Sequence, residues 1–256
     1  MQKEIKKIKT LLNSKNRLNQ KLALAIVKGW AIDLRADLPE YYETYVFLEK
    51  YAEIEKGLNK PSQVIQQLLD LECLQLMGQS IDFIPNLSLP NLRRLEVVYN
   101  QIFYPIPNFT NLPQLVELCW MGNHQRGYIP NFTHLPELEE LNLSVNKLTG
   151  SIPNFSNLPK LQLLDLQDNQ LIGSIPDFSN LPNLTSLDLG KNQLNKAVPN
   201  FSKLPKLYAL FLGKNNLEGK VPDFSNLPNL QIFCFVGNQL HEFPEALRKR
   251  LNHFDY

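Results

Sequence analysis

Leucines recur along most of this chain with a spacing that no single helix or strand could use. From Leu89 onward the unit Leu-Pro-Asn-Leu-x-x-Leu-x-Leu-x-x-Asn-x-Leu-x-Gly-x-Ile-Pro-Asn-Phe-Ser-Asn restarts every 23 residues, at Leu89, Leu112, Leu135, Leu158, Leu181, Leu204 and Leu227. A shorter, degenerate unit begins near Leu68. A fixed period of this length predicts a solenoid, in which each unit buries its apolar face only by stacking on its neighbours. Within a unit the alternation of Leu141 and Leu143 predicts a short strand with one face buried. Asn146 recurs as Asn100, Asn123, Asn169, Asn192, Asn215 and Asn238. An amide at that place is expected to satisfy turn backbone groups in adjacent coils. Gly150, Gly173 and Gly219 mark a turn that calls for positive φ. Phe109, Phe132, Phe155, Phe178, Phe201 and Phe224 predict an aromatic spine under the convex side. Asn154, Asp177 and Asp223, each just before such a Phe, are expected to cap a single helical or 3₁₀ turn.

These units resemble the leucine-rich repeat family, and the stretch from Asn146 to Pro153 (NKLTGSIP) resembles its plant-type subclass, seen in receptor-kinase ectodomains and inhibitor proteins. The resemblance runs from Leu68 to about Phe243. It implies an α/β fold: a right-handed solenoid with a parallel β-sheet on its concave face, which usually binds a protein or peptide. The units are shorter than the usual plant-type unit. The paired-cysteine caps of that subclass are absent.

The first 67 residues have a different texture. Lys3 to Leu12, Arg17 to Trp30 (with Leu18, Leu22, Ala25 and Ile26), Pro39 to Lys56 and Pro61 to about Leu69 read as helices, with Gly57 as a stop. Pro61 suits a first helical turn. The predicted organisation is a helical N-terminal cap over 1–67, about eight coils over 68–243 and a C-terminal cap over 244–256. Tyr41, Tyr42, Tyr45 and Tyr51 admit two readings: cap packing, or a separate interaction module.

Charge and cysteines narrow the function classes. The 256 residues carry 26 Lys+Arg and 25 Asp+Glu, a net charge of +1, with no basic stripe of the kind nucleic acid demands. No apolar run is long enough to span a membrane. The N-terminal stretch does not read as a secretory signal, which points to a cytoplasmic protein, or a secreted one if a leader has been removed. Cys73 and Cys119 fall two strands apart, about 10 Å by strand spacing, beyond the roughly 7 Å a disulfide tolerates. Free thiols fit a reducing compartment. His124, His134, His241 and His253 lack metal-ligand spacing, and no phosphate loop or nucleophile–base arrangement occurs. Neither enzyme chemistry, metal nor cofactor is expected.

What remains is the variable side chains that alternate outward from the strands. One row reads Cys73, Arg94, Glu117, Glu140, Leu163, Ser186, Ala209, Ile232; the next reads Gln75, Glu96, Cys119, Asn142, Asp165, Asp188, Phe211, Cys234; a third reads Met77, Val98, Met121, Ser144, Gln167, Gly190, Gly213, Val236. The candidate binding residues are Glu96, Glu117, Met121, Glu140, Asn142, Asp165, Gln167, Asp168, Asp188, Phe211, Ile232 and Val236. The acidic centre is expected either to steer a basic protein or peptide or to stand solvated. The apolar end predicts contact with a partner, a homodimer, or cover by the terminal helix. The second unit departs from the template at Gln125 and Trp120: the ring either fills the space of the lost leucine or is exposed with Met121, Arg126 and Tyr128. A non-enzymatic binding module is the leading expectation. The alternatives are an exported surface, adhesion or host-interaction protein and a catalytic regulator in the helical cap.

Overall fold

The computed structural model describes residues 2–14, 20, 23–24, 34–51 and 60–255. Helices α1 (Gln2–Leu12), α2 (Leu34–Asp37), α3 (Pro39–Tyr51) and α4 (Pro61–Asp70) precede the repeats. Pro61 opens α4 as expected, with Lys60 as an N-cap that makes no side-chain bond. Most of the helix expected from Arg17 to Trp30, including Leu18, Leu22, Ala25, Ile26 and Trp30, lies outside the described residues, as do Gly57 and the stretch from 52 to 56.

Every repeat then contributes a short parallel strand. The nine strands run Cys73–Met77, Arg94–Val98, Glu117–Cys119, Glu140–Asn142, Leu163–Asp165, Ser186–Asp188, Ala209–Phe211, Ile232–Cys234 and His253–Asp255, each paired with the next. Their inward residues, such as Leu118, Leu141, Leu164, Leu187 and Leu210, are buried in one continuous core. The sequence predicts about eight coils; the ninth strand comes from the C-terminal segment. There α5 (Glu245–Arg250) turns the chain back so that His253–Asp255 pairs with Ile232–Cys234. That strand adds to the sheet edge and sets the polar, exposed His253 and Asp255 beside Ile232 and Cys234.

A second parallel sheet of six strands follows the Asn turn, at Arg126–Gly127, Lys147–Gly150, Gln170–Gly173, Gln193–Lys196, Asn216–Lys220 and Gln239–His241. Its signal was present in the sequence as buried Leu148, Leu171, Leu194 and Leu217 between polar neighbours. The two sheets differ in register. Glu117 faces Glu140 in the first, one full period on, whereas Thr149 faces Gln170 in the second, two residues short of a period.

The asparagine ladder joins the two sheets. Asn192 donates from Nδ2 to the carbonyls of Leu166 (3.0 Å) and Leu189 (3.1 Å), and its Oδ1 accepts from the Leu171 N–H at 3.0 Å. Asn169 and Asn215 repeat this pattern. One side chain thus satisfies groups in its own coil and in the one before it. A buried, unpaired group of that kind costs about 1–3 kcal/mol.

The aromatic spine is present, with Phe155, Phe178, Phe201 and Phe224 buried and their rings 6.3–6.5 Å apart. The expected side-chain cap is an Asx turn leading into a single i→i+3 turn, closed by the Leu181 N–H on the Phe178 carbonyl at 2.9 Å. Asp177 Oδ1 accepts from the Ser179 N–H at 3.0 Å, and Phe178 between them takes φ 49°. The residue that carries the ring is also the one that reverses the chain, which turns the ring inward. Gly150, Gly173 and Gly219 take φ of 82°, 86° and 94°, as predicted; Lys196 occupies the equivalent place at 73°.

Candidate functional site

The sheet register assembles the outward rows that alternation predicts. In the first, Arg94 faces Glu117 and Glu117 faces Glu140; in the second, Cys119, Asn142, Asp165, Asp188, Phe211 and Cys234 follow in line. Met121, Gln167 and Val236 continue past the strand ends in a third row, held by backbone bonds between coils such as Val145 N–H to Gln167 O. Gly190 and Gly213 in that row carry no side chain, and a Cβ at Gly190 would meet Asp188 Oδ1 at 3.2 Å.

The acidic zone divides into two parts. Arg94 forms a bidentate contact with Glu117, Nη2 reaching Oε1 at 2.7 Å, and its Nε lies 3.8 Å from Glu96. The hydrogen bonds from Arg94 hold the Glu117 carboxyl below its usual range. Gln75 donates to Glu96 at 3.0 Å. These two acids are therefore largely spoken for. Among the described residues no salt bridge neutralises Glu140, Asp165 or Asp188. Burial raises the pKa of all three. For Glu140 the neighbouring Glu117 charge adds to the effect, and for Asp188 burial with the Asp165 charge lifts it to about 6.

Two aspartates also do structural work. Asp165 Oδ1 accepts from the Gln167 N–H at 3.0 Å, and Asp188 Oδ1 from the Gly190 N–H at 2.9 Å. Asn142 accepts from Ser144 in the same way at 2.9 Å. The stacked carboxylates thus have a local stabilising cause as well as a charge. Asp168 stands apart from the rows: it occupies a left-handed turn position (φ 57°) and pairs with Lys191 at 3.7 Å. At the far end Phe211 and Ile232 are half-buried and Val236 is exposed.

The second unit resolves in favour of filling. Trp120 is buried beside Phe109, with ring centroids 5.7 Å apart, and its indole N–H donates to Gln125 Oε1 at 3.1 Å. The Gln125 amide in turn donates to the Tyr104 carbonyl. Met121 is half-buried, while Arg126 and Tyr128 are exposed. In the helical cap, Tyr41 is buried with its hydroxyl donating to Asn13 at 3.0 Å, and Tyr45 is buried too. Thr44 accepts from the Ser88 N–H at 2.8 Å, which ties the cap to the first coil. Tyr42, Val46 and Phe47 meet Phe83 and Pro85 around a groove of about 630 Å³.

Comparison with known proteins agrees with this architecture. A family model described as Leucine Rich repeats (2 copies) matches residues 136–180, and one described as Leucine Rich repeat matches 180–197. The chain is a leucine-rich repeat protein. It resembles the plant-type subclass, as its structural neighbours show. The plant peptide hormone receptor RGFR1, solved in complex with RGF2, is similar at TM-score 0.66 and 30% identity, over 75% of this chain and 33% of that one. The ectodomain of the receptor kinase GASSHO1/SCHENGEN3 from Arabidopsis thaliana, solved with CASPARIAN STRIP INTEGRITY FACTOR 2, gives 0.60 and 28%, over 70% and 26%. InlP of Listeria monocytogenes gives 0.60 and 26%, over 74% and 56%. This leucine-rich repeat protein therefore spans about a quarter to just over half of these three chains. No curated protein matches it by sequence. Among the described residues no helix is long and apolar enough to cross a membrane.

Proposed function

We propose that this leucine-rich repeat protein is a non-enzymatic recognition module that grips a protein or peptide bearing basic residues on the concave, outward face of its nine-stranded sheet. The observation that carries this is the group of carboxylates without salt bridges among the described residues, Glu140 in one outward row and Asp165 with Asp188 in the next, beside Gly190 and Gly213. Arg94 on that face is engaged by Glu117 and Glu96. Asp165 and Asp188 are half-buried, and such carboxylates gain more from an incoming cation than solvated ones do, because the water that screens them is partly gone; Glu140 beside them is exposed. The similar receptor RGFR1 is itself solved with a peptide hormone, which supports peptide binding as the class of activity. Glu96, Glu117, Met121, Asn142 and Gln167 line the same face. Phe211, Ile232 and Val236 supply an apolar end, for the partner or for a second copy of the chain.

The test is a double charge reversal, Glu140→Lys with Asp165→Lys, checked for an intact melt. Capture of the wild-type partner, and binding of a synthetic lysine-rich peptide, should fall at least tenfold and weaken with salt. Unchanged binding by the reversed face would sink the reading.

A second reading concerns compartment. Free Cys73, Cys119 and Cys234 favour a reducing cytoplasm. The resemblance to a receptor ectodomain favours an exported surface or host-interaction protein. Cell fractionation with an antibody to the native chain separates the two.

A further inference from the structure

No sequence spacing in this chain suggests a metal site, yet the ninth strand builds one across the sheet. His253 faces Ile232 and Asp255 faces Cys234 in parallel register. Alternate residues of a strand share a face, so His253 and Asp255 point the same way, and register adds Cys234 to them. The Cys234 Sγ, an imidazole nitrogen of His253 and a carboxylate oxygen of Asp255 all lie within 4.8 Å of one another. His253 Nε2 and Asp255 Oδ2 are 3.6 Å apart.

These separations are close to those of a coordinated ion. Around tetrahedral zinc, nitrogen and oxygen ligands at about 2.0–2.1 Å lie about 3.3 Å from each other, and a sulfur at about 2.3 Å lies about 3.6 Å from nitrogen. Side-chain rotations of about 1 Å close the set. The donors also fit in kind. Thiolate, imidazole and carboxylate together suit a borderline transition metal, whereas magnesium and calcium take oxygen alone. Thiolate and carboxylate bring two negative charges to a divalent cation, and the imidazole binds neutral. Phe211 and Ile232, next to Cys234 and His253 along the rows, give the site an apolar margin that strengthens ion–ligand attraction. His253 and Asp255 keep side-chain exposures of 60% and 55%, which leaves the outward position to water.

We propose that Cys234, His253 and Asp255 bind a divalent transition metal of the zinc class, with water as the fourth ligand. The ion clasps the ninth strand to the eighth, at the apolar end of the recognition face.

The test uses the full chain without a histidine tag, stripped with chelator and titrated with Co²⁺ and then with competing Zn²⁺. One equivalent of Co²⁺ should bind and give a thiolate-to-cobalt charge-transfer band. Cys234→Ser should abolish that band, and Zn²⁺ affinity should fall at least tenfold in Cys234→Ser, His253→Gln and Asp255→Asn. Cys119→Ser should retain both. Zinc should raise the melting temperature of wild type and leave Cys234→Ser unmoved. No charge-transfer band in wild type, or wild-type affinity in Cys234→Ser, overturns the proposal. Should Cys234→Ser fail to fold, the exposed His253→Gln decides: wild-type affinity with an unchanged circular dichroism spectrum overturns it.

Discussion

Asp165 and Asp188 stand directly opposite each other on adjacent parallel strands, each also accepting a backbone N–H two residues further on. Like charges in that relation oppose one another. Partial burial makes the pair worse, and the Asp188 pKa rises to about 6 from its ordinary 3.8. A raised carboxylate pKa means that the folded state holds a proton more tightly than the unfolded chain. Its contribution favours folding below about pH 3.8 and is lost as pH rises through about 6. Burial raises Asp165 and Glu140 in the same direction. We expect Asp188→Asn to flatten this part of the stability profile, since an amide keeps the acceptor oxygen and drops the charge. Urea midpoints of the two proteins at pH 5 and pH 7.5 check this. An equal pH dependence in both would exclude Asp188 as the source.

Removing one rung of the ladder should cost far more than its surface would suggest. Asn192→Ala leaves the Leu171 N–H and the Leu166 and Leu189 carbonyls without their partner. A loss of about 3 kcal/mol is expected, by the usual cost of buried unpaired groups. Denaturant unfolding gives the magnitude. Faster amide exchange at Leu171, ahead of the distant coils, would place it.

Lys196 does what a glycine does in the neighbouring units, at φ 73° against 86° and 94° in Gly173 and Gly219. A side chain in that region carries about 1–2 kcal/mol of strain. Lys196→Gly relieves it and gives back part through a freer unfolded chain, for a net gain of about 0.5–1 kcal/mol. The checking measurement is a higher urea midpoint with the same slope; a lower midpoint rejects the strain.

Gln125 offers the opposite case, where restoring the repeat's leucine should harm. Gln125→Leu strands the Trp120 indole N–H, which donates to Gln125 at 3.1 Å, inside the core. It should destabilise by about 1–3 kcal/mol. Trp120→Leu combined with Gln125→Leu should recover part of that loss, and a double-mutant cycle reads the coupling. Additive effects would show that the two side chains act independently.

The solenoid, its register and the inward residues could be read from letters alone, because a 23-residue period admits one way of burying the leucines: coil upon coil. The Asn ladder and the positive φ at Gly150 were legible for a similar reason, since backbone groups in a turn must be paired and only some residues tolerate left-handed geometry. The second sheet went unread although its signal was present, since four-residue runs such as Lys147–Gly150 resemble any turn. Pairings between side chains were beyond a one-dimensional reading. Arg94 removing Glu117 and Glu96 from the acidic field depends on which strand lies beside which, and Cys234 meeting His253 and Asp255 depends on the turn by α5 that brings the C-terminal segment back as a ninth strand; Trp120 finding Gln125, five residues on, depends on how the turn between them folds into the core. Periodicity specifies the core because every coil repeats it. The face that recognises a partner is built from the positions that do not repeat, and their chemistry is settled by neighbours a full coil away in sequence.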